Sequence, residues 1–113
     1  MQVLFNSRHP QATELRELTE RRVRFVLRRL GRLVPRAEVR MSDVNGPRGG
    51  IDRRCQVDLR TDGAGSVVVA AVAGDWRTAL DDALARAARL LMRLWQRGRD
   101  SRRMRHRLVG LER

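Results

Sequence analysis

The chain has no lysine: all 25 of its basic residues are arginine, set against 13 acidic residues, for a net charge of +12. Positive charge carried only by planar, permanently charged guanidinium groups suits phosphate-rich partners through bidentate hydrogen bonding. Codon usage in a GC-rich genome would also remove lysine, but it does not account for the net charge. A pI near 11.8 points to a polyanion, most often nucleic acid, less often an anionic membrane surface or an acidic protein. A second cysteine is also missing, so Cys55 has no intrachain disulfide partner. The opening Met-Gln-Val-Leu-Phe-Asn-Ser lacks the basic region and long apolar run of a secretion signal. The longest apolar run, Val67 to Ala73, falls far short of the roughly 20 residues that cross a bilayer. A cytoplasmic location and no membrane partner are therefore expected. Internal repeats and low-complexity segments are absent as well. With 113 residues, 42% of them hydrophobic and 34% charged, the chain has room for one small folded domain.

What is present is strongly periodic. Gln2 to Asn6 is a short β-prone run closed by Ser-Arg-His-Pro. From Thr13 to about Leu33, the residues Leu15, Leu18, Val23, Val26, Leu27, Leu30 and Leu33 recur at intervals of three and four, predicting one helix that Gly31 and Pro35 bring to an end. Ala37, Val39 and Met41 then alternate with Glu38, Arg40 and Ser42. After the turn Asn45-Gly46-Pro47-Arg48-Gly49-Gly50, Cys55, Val57 and Leu59 alternate with Arg54, Gln56, Asp58 and Arg60. A turn over Thr61-Asp62-Gly63-Ala64-Gly65 leads to a valine-rich strand from Ser66 to Val72. Asp75 is placed to cap a second helix, in which Trp76, Ala79, Leu80, Ala83, Leu84, Ala87, Leu90, Leu91 and Leu94 keep the helical period. Gly98 is expected to end it, giving a domain over residues 1–98 and a basic tail over 99–113. The order is β-α-β-β-β-α, an α+β fold, with the first two strands parallel if they are neighbours and both helices on one face.

Arginine is patterned within the helices. Arg21, Arg24, Arg28 and Arg32 are spaced i, i+3, i+7, i+11, within roughly 80° of one another on a helical wheel. Arg86, Arg89, Arg93 and Arg97 repeat that spacing. If the helices run side by side in the same direction, the two ladders lie at the same end and make one basic patch. Crowded like charges repel, so a counter-charge from outside the chain is the physically sensible role, and RNA phosphates supply it. The plainer reading is a pair of solvated helix faces, with arginine favoured near helix C-termini by the macrodipole.

Other chemistry is thinly represented. Strand alternation turns Cys55 inward, as a small hydrophobe rather than a nucleophile. His9 and His106 do not make a metal spacing with it. Asp81 and Asp82 point about 100° apart on a helix and suit its N-terminal half. The Asn45–Gly50 turn lacks the lysine of a phosphate-binding loop, although Arg48 or Arg53 could reach RNA from it. Trp76, and at the edge of the apolar arc Trp95, read as core residues rather than base-stacking platforms. No catalytic residues, metal site, cofactor or small-molecule substrate are expected.

Two blocks carry a resemblance. Val39-Arg40-Met41-Ser42-Asp43-Val44-Asn45-Gly46, running through Arg48-Gly49-Gly50-Ile51-Asp52 to Cys55-Gln56-Val57, is one. The other is Asp75-Trp76-Arg77-Thr78-Ala79-Leu80-Asp81, followed by Arg86, Arg89 and Arg93. Over about residues 1–97 the chain resembles the ribosome hibernation-promoting factor and ribosome-associated inhibitor family of ribosomal subunit interface proteins, once labelled sigma-54 modulation proteins, in its short form. The resemblance implies a four-stranded sheet with two parallel helices on one face, similar to a double-stranded-RNA-binding domain. It further implies binding to small-subunit rRNA in the channel used by mRNA and tRNA, with translation inhibited and idle ribosomes preserved under stress. By the same resemblance Arg28, Arg32, Arg86, Arg89 and Arg93 contact rRNA, while Arg21, Arg24 and Arg97 rest on the helical wheel alone. The alternative from a different class is a protein-interaction module whose basic face docks an acidic partner and which shares only the fold.

Overall fold

The structure, a computed structural model, describes residues 1–45, 50–63 and 65–111. Alternating apolar residues form β1 (Gln2–Ser7), β2 (Arg36–Asn45), β3 (Ile51–Arg60) and β4 (Ser66–Ala73), a four-stranded sheet in the order β1-β2-β3-β4. β1 runs parallel to β2 from Gln2↔Arg36 to Ser7↔Met41. β2 and β3 pair antiparallel from Arg36↔Arg60 to Asn45↔Ile51, and β3 and β4 from Arg53↔Ala73 to Arg60↔Ser66. Gly63 and Gly65, at φ 81° and 86°, supply the left-handed backbone that the β3–β4 turn requires. Residues 46–49 of the preceding turn, with Arg48, lie outside the described residues, whereas Arg53 belongs to β3.

The period of two sorts each strand between a covered and an open face. Val39, Val57 and Leu59 on the covered face are fully buried, with Cys55 beside them. On the other face Arg40 and Arg60 are exposed, and Arg36, Glu38, Arg54, Gln56 and Asp58 partly so. β4, an outer strand, is uncharged throughout and leaves Val68 and Val72 open to solvent, 56% and 50% exposed.

The first predicted helix is divided. A single turn, α1 (Pro10–Thr13), precedes α2 (Arg16–Val26), and the chain then tightens into a 3-10 turn over Gly31–Leu33. Arg28, Leu30 and Leu33 donate to carbonyls three residues back, Phe25, Leu27 and Leu30. The cause lies in the sheet: the Gln2 amide donates to the Pro35 carbonyl at 2.8 Å, so the chain must return to the start of β1. A straight helix to Leu33 would carry it past that point. Tight winding also lets Leu27, Leu30 and Val34 all reach the core.

The second helix, α3, spans Trp76–Leu111. The Asp75 side chain caps it, accepting from the Thr78 amide and hydroxyl, both at 2.9 Å. Gly98 does not end it. One glycine in a helix costs about 1 kcal/mol relative to alanine, too little to stop a run flanked by good helix formers, so much of the expected tail continues α3. Leu80, Leu84 and Leu91 are buried against the sheet, each contributing about 1.5–3 kcal/mol of transfer free energy. β1 and β4 point the same way, and each helix returns from the end of one of them. α2 and α3 therefore run parallel on the covered face.

Candidate nucleic-acid interface

Three contacts fix how the two helices present their arginines. Arg22 Nη1 on α2 lies 3.5 Å from Asp81 Oδ1 on α3, so these residues mark the sides that face each other. At 100° per residue, Arg24 points roughly 160° away from Arg22, and its Nη1 donates to the Met1 carbonyl at 3.3 Å, over the β1 edge. Its Nε also donates to Glu20 Oε1 at 3.3 Å. Arg21 turns outward, beside a depression it shares with Glu17, Glu20 and Arg24.

Arg28 and Arg32 lie beyond α2, which stops at Val26: Arg28 is in the turn that follows and Arg32 in the 3-10 turn. The turn still keeps them with Arg24: the three line one depression of about 320 Å³ with Met1, Leu27 and Gly31. Arg28 closes the helix end by donating from Nη1 to the Phe25 carbonyl at 2.9 Å, and its guanidinium sits 4.5 Å from the centre of the Phe25 ring.

On α3, Arg86, Arg93 and Arg97 are turned roughly 120° to 160° from Asp81, and Arg89 roughly 80°. All four are exposed, and among the side chains described up to Arg99 none gives them a carboxylate or hydrogen-bond partner. They face outward and away from α2, on the β4 side. The two arginine sets thus share an end of the molecule but do not merge at the seam between the helices. They bracket the helix layer, one over each edge of the sheet, about two helix diameters or roughly 20 Å apart.

Two aromatic side chains are exposed on the helix layer, Phe25 beside the α2 arginines and Trp95 on the seam side of α3, about 40° from Asp81 and turned away from Arg86, Arg93 and Arg97. Phe25, 64% exposed, forms the pair with Arg28. Trp95 is 39% exposed rather than part of the core, and the Arg99 guanidinium lies 5.4 Å from its ring centre. The core needs no side chain at Trp95, because Leu91 and Leu94 already fill that turn of the helix. The spacing signals both pairs, arginine three residues after Phe25 and four after Trp95, as does the absence of Phe25 from the apolar arc of α2.

The remaining candidates have structural roles. Cys55 is fully buried, and desolvation pushes its thiol up to about 12. Trp76 is 6% exposed and packs in a cluster with its ring 4.2 Å from the Arg53 guanidinium and 4.9 Å from the His9 ring. Asp43 joins the same cluster, pairing with Arg53 and, at 3.3 Å, with His9 Nε2. Among the described residues no group of three His, Cys, Asp or Glu side chains converges as a metal site, and no helix is long and apolar enough to cross a membrane.

No protein-family model matches the chain, and no curated protein does. Among solved structures it is similar to a ribosomal subunit interface protein from Coxiella burnetii, with 16% identity and a TM-score of 0.62, over 82% of this chain and 96% of that one. At that identity the likeness is one of architecture, and the chain has the α+β fold that its sequence resemblance implied.

Proposed function

We propose that the protein is a non-enzymatic ribosome-associated factor that binds rRNA of the small subunit and holds idle ribosomes inactive. The observation that carries this reading is the row of exposed arginines on α3, Arg86, Arg89, Arg93 and Arg97, facing solvent on a fold shared with a ribosomal subunit interface protein. Exposed guanidiniums in a row contribute little to folding and repel one another, and phosphates relieve that repulsion. Arg24, Arg28 and Arg32 act as the second rail, over the β1 edge. Arginine rails roughly 20 Å apart suit phosphate backbones on two sides of a folded RNA, read by shape rather than by base sequence. Phe25, beside the second rail and with Arg28 over its ring, offers a stacking surface for an unpaired base.

The test is sedimentation of tagged protein with cell lysate through a sucrose gradient at low and moderate salt. Co-migration with small subunits or whole ribosomes, lost in Arg86→Ala/Arg89→Ala/Arg93→Ala, is the expected result. Protein that stays at the top of the gradient at both salts overturns the reading and directs the search to acidic protein partners.

A further inference from the structure

We infer that a recess at the end of β1, reaching round to the open face of the sheet, is an anion site that holds a phosphate ester the size of one nucleotide. This goes beyond the rRNA contact proposed for the helices and does not depend on it. The recess arises from strand length. The β1–β2 ladder ends at Ser7↔Met41, where the chain leaves for α1, while β2 and β3 run on together to Asn45↔Ile51. The last residues of β2 therefore have no strand partner on the β1 side, and a cavity of about 550 Å³ opens there.

Its lining is strongly biased in charge. Arg8, Arg40 and Arg54 reach it from the β1 exit, β2 and β3, and Asp43 is its single carboxylate. Asp43 is already engaged by Arg53, which lies outside the lining, and by His9 Nε2 at 3.3 Å. His9 Nδ1 accepts from the Gln11 amide at 3.3 Å, so the ring's remaining N–H is the one turned to Asp43. Three arginines thus line a recess whose one lining carboxylate is already paired. Arg40 and Arg54 are held in place by Glu38 at 3.0 Å and by Gln56 at 3.2 Å, with donors left over for a ligand. Ser42 adds a hydroxyl.

Three arginines lining one recess suit the dianionic head of a phosphomonoester, with its three terminal oxygens, better than a singly charged carboxylate with two. A bare phosphate would fill only a small part of the cavity, whose volume falls in the range of about 300–1,000 Å³ typical of small-ligand sites. A nucleotide, free or at the 5′ end of an RNA, supplies both the charge and the bulk.

Titration of isotope-labelled protein with adenosine 5′-monophosphate, followed by amide NMR, tests this. Saturable shifts at Asn6, Arg8, Ser42 and Arg54 are expected, with none from adenosine. Arg54→Gln and Arg40→Gln should each weaken binding by about tenfold, with the spectrum elsewhere unchanged because both side chains lie outside the core. A short RNA carrying a 5′-phosphate, compared with its 5′-hydroxyl twin, identifies the source: pocket shifts from the phosphorylated RNA at lower concentration than from the mononucleotide assign an RNA end, and the reverse order a free nucleotide. Absence of pocket shifts with both ligands, equal shifts from adenosine, or shifts confined to the α2 and α3 arginines overturn the inference. Ribosome sedimentation of Arg54→Gln stays at the wild-type level, which separates this site from the helix arginines.

Discussion

Arg22 and Asp81 face each other across the seam of the helix layer, with Nη1 and Oδ1 3.5 Å apart, and the arginines proposed to bind RNA lie on the far sides of both helices. The pair marks the rotation of each helix about its axis, which the buried apolar faces fix. Both side chains are close to half exposed, 45% and 47%, so solvent screens much of their attraction. A double-mutant cycle with Arg22→Ala and Asp81→Ala, read by urea unfolding, is expected to give a coupling of about 0.2–1 kcal/mol.

Arginines that meet phosphates release counterions, and each phosphate contact adds about 0.7–0.9 to the slope of log K against log salt concentration. Replacing Arg86, Arg89 and Arg93 together with alanine should lower the slope for small-subunit binding by about 2–3. Arg22→Ala, at the seam, should leave it unchanged.

Leu84 and Leu90 separate core from surface on a single helix. Leu84 is fully buried and Leu90 is 40% exposed. Leu84→Ala should cost about 2–5 kcal/mol in urea unfolding, and Leu90→Ala about 0.5 kcal/mol or less.

Burial pushes the Cys55 thiol up to about 12, so the native protein holds almost no thiolate near pH 8. Alkylation by iodoacetamide at that pH should be negligible in the folded protein and rapid in denaturant, as measured by intact mass.

Asp75 gives stability a pH dependence. Its carboxylate accepts from the Thr78 amide, and that bond, more than any other influence, lowers its pKa below the ordinary carboxylate value. A group depressed on folding contributes fully above its unfolded pKa and loses its contribution as pH falls through the folded one. The gap in Tm between the wild type and Asp75→Ala should therefore be widest near neutral pH and narrow in acid.

The sheet was legible because burial on one face imposes a period of two, and Ala37, Val39 and Met41 display it without exception. α3 was legible from Trp76 to Leu94 for the equivalent reason at a period of 3.6. The end of α2 was not. Leu30 and Leu33 continue the helical spacing, yet the Gln2–Pro35 hydrogen bond, 33 residues apart in sequence, decides where the chain must turn. The arginine ladders could be drawn on isolated wheels, but their separation onto opposite flanks depends on the rotation of each helix, which a contact such as Arg22–Asp81 shows and a single-helix pattern does not contain. The recess beside β1 likewise follows from unequal strand lengths and has no local signature.

The uncharged outer strand Ser66–Ala73 has the form that recruits another chain by backbone pairing, with open Val68 and Val72 to hold it. Above that edge stand Arg86, Arg93 and Arg97, so two copies approaching strand to strand would bring their arginines together. Those charges would oppose such an approach. Concentrated salt, or removal of those arginines, would lower that barrier, and their replacement would then be felt in solubility as well as in charge.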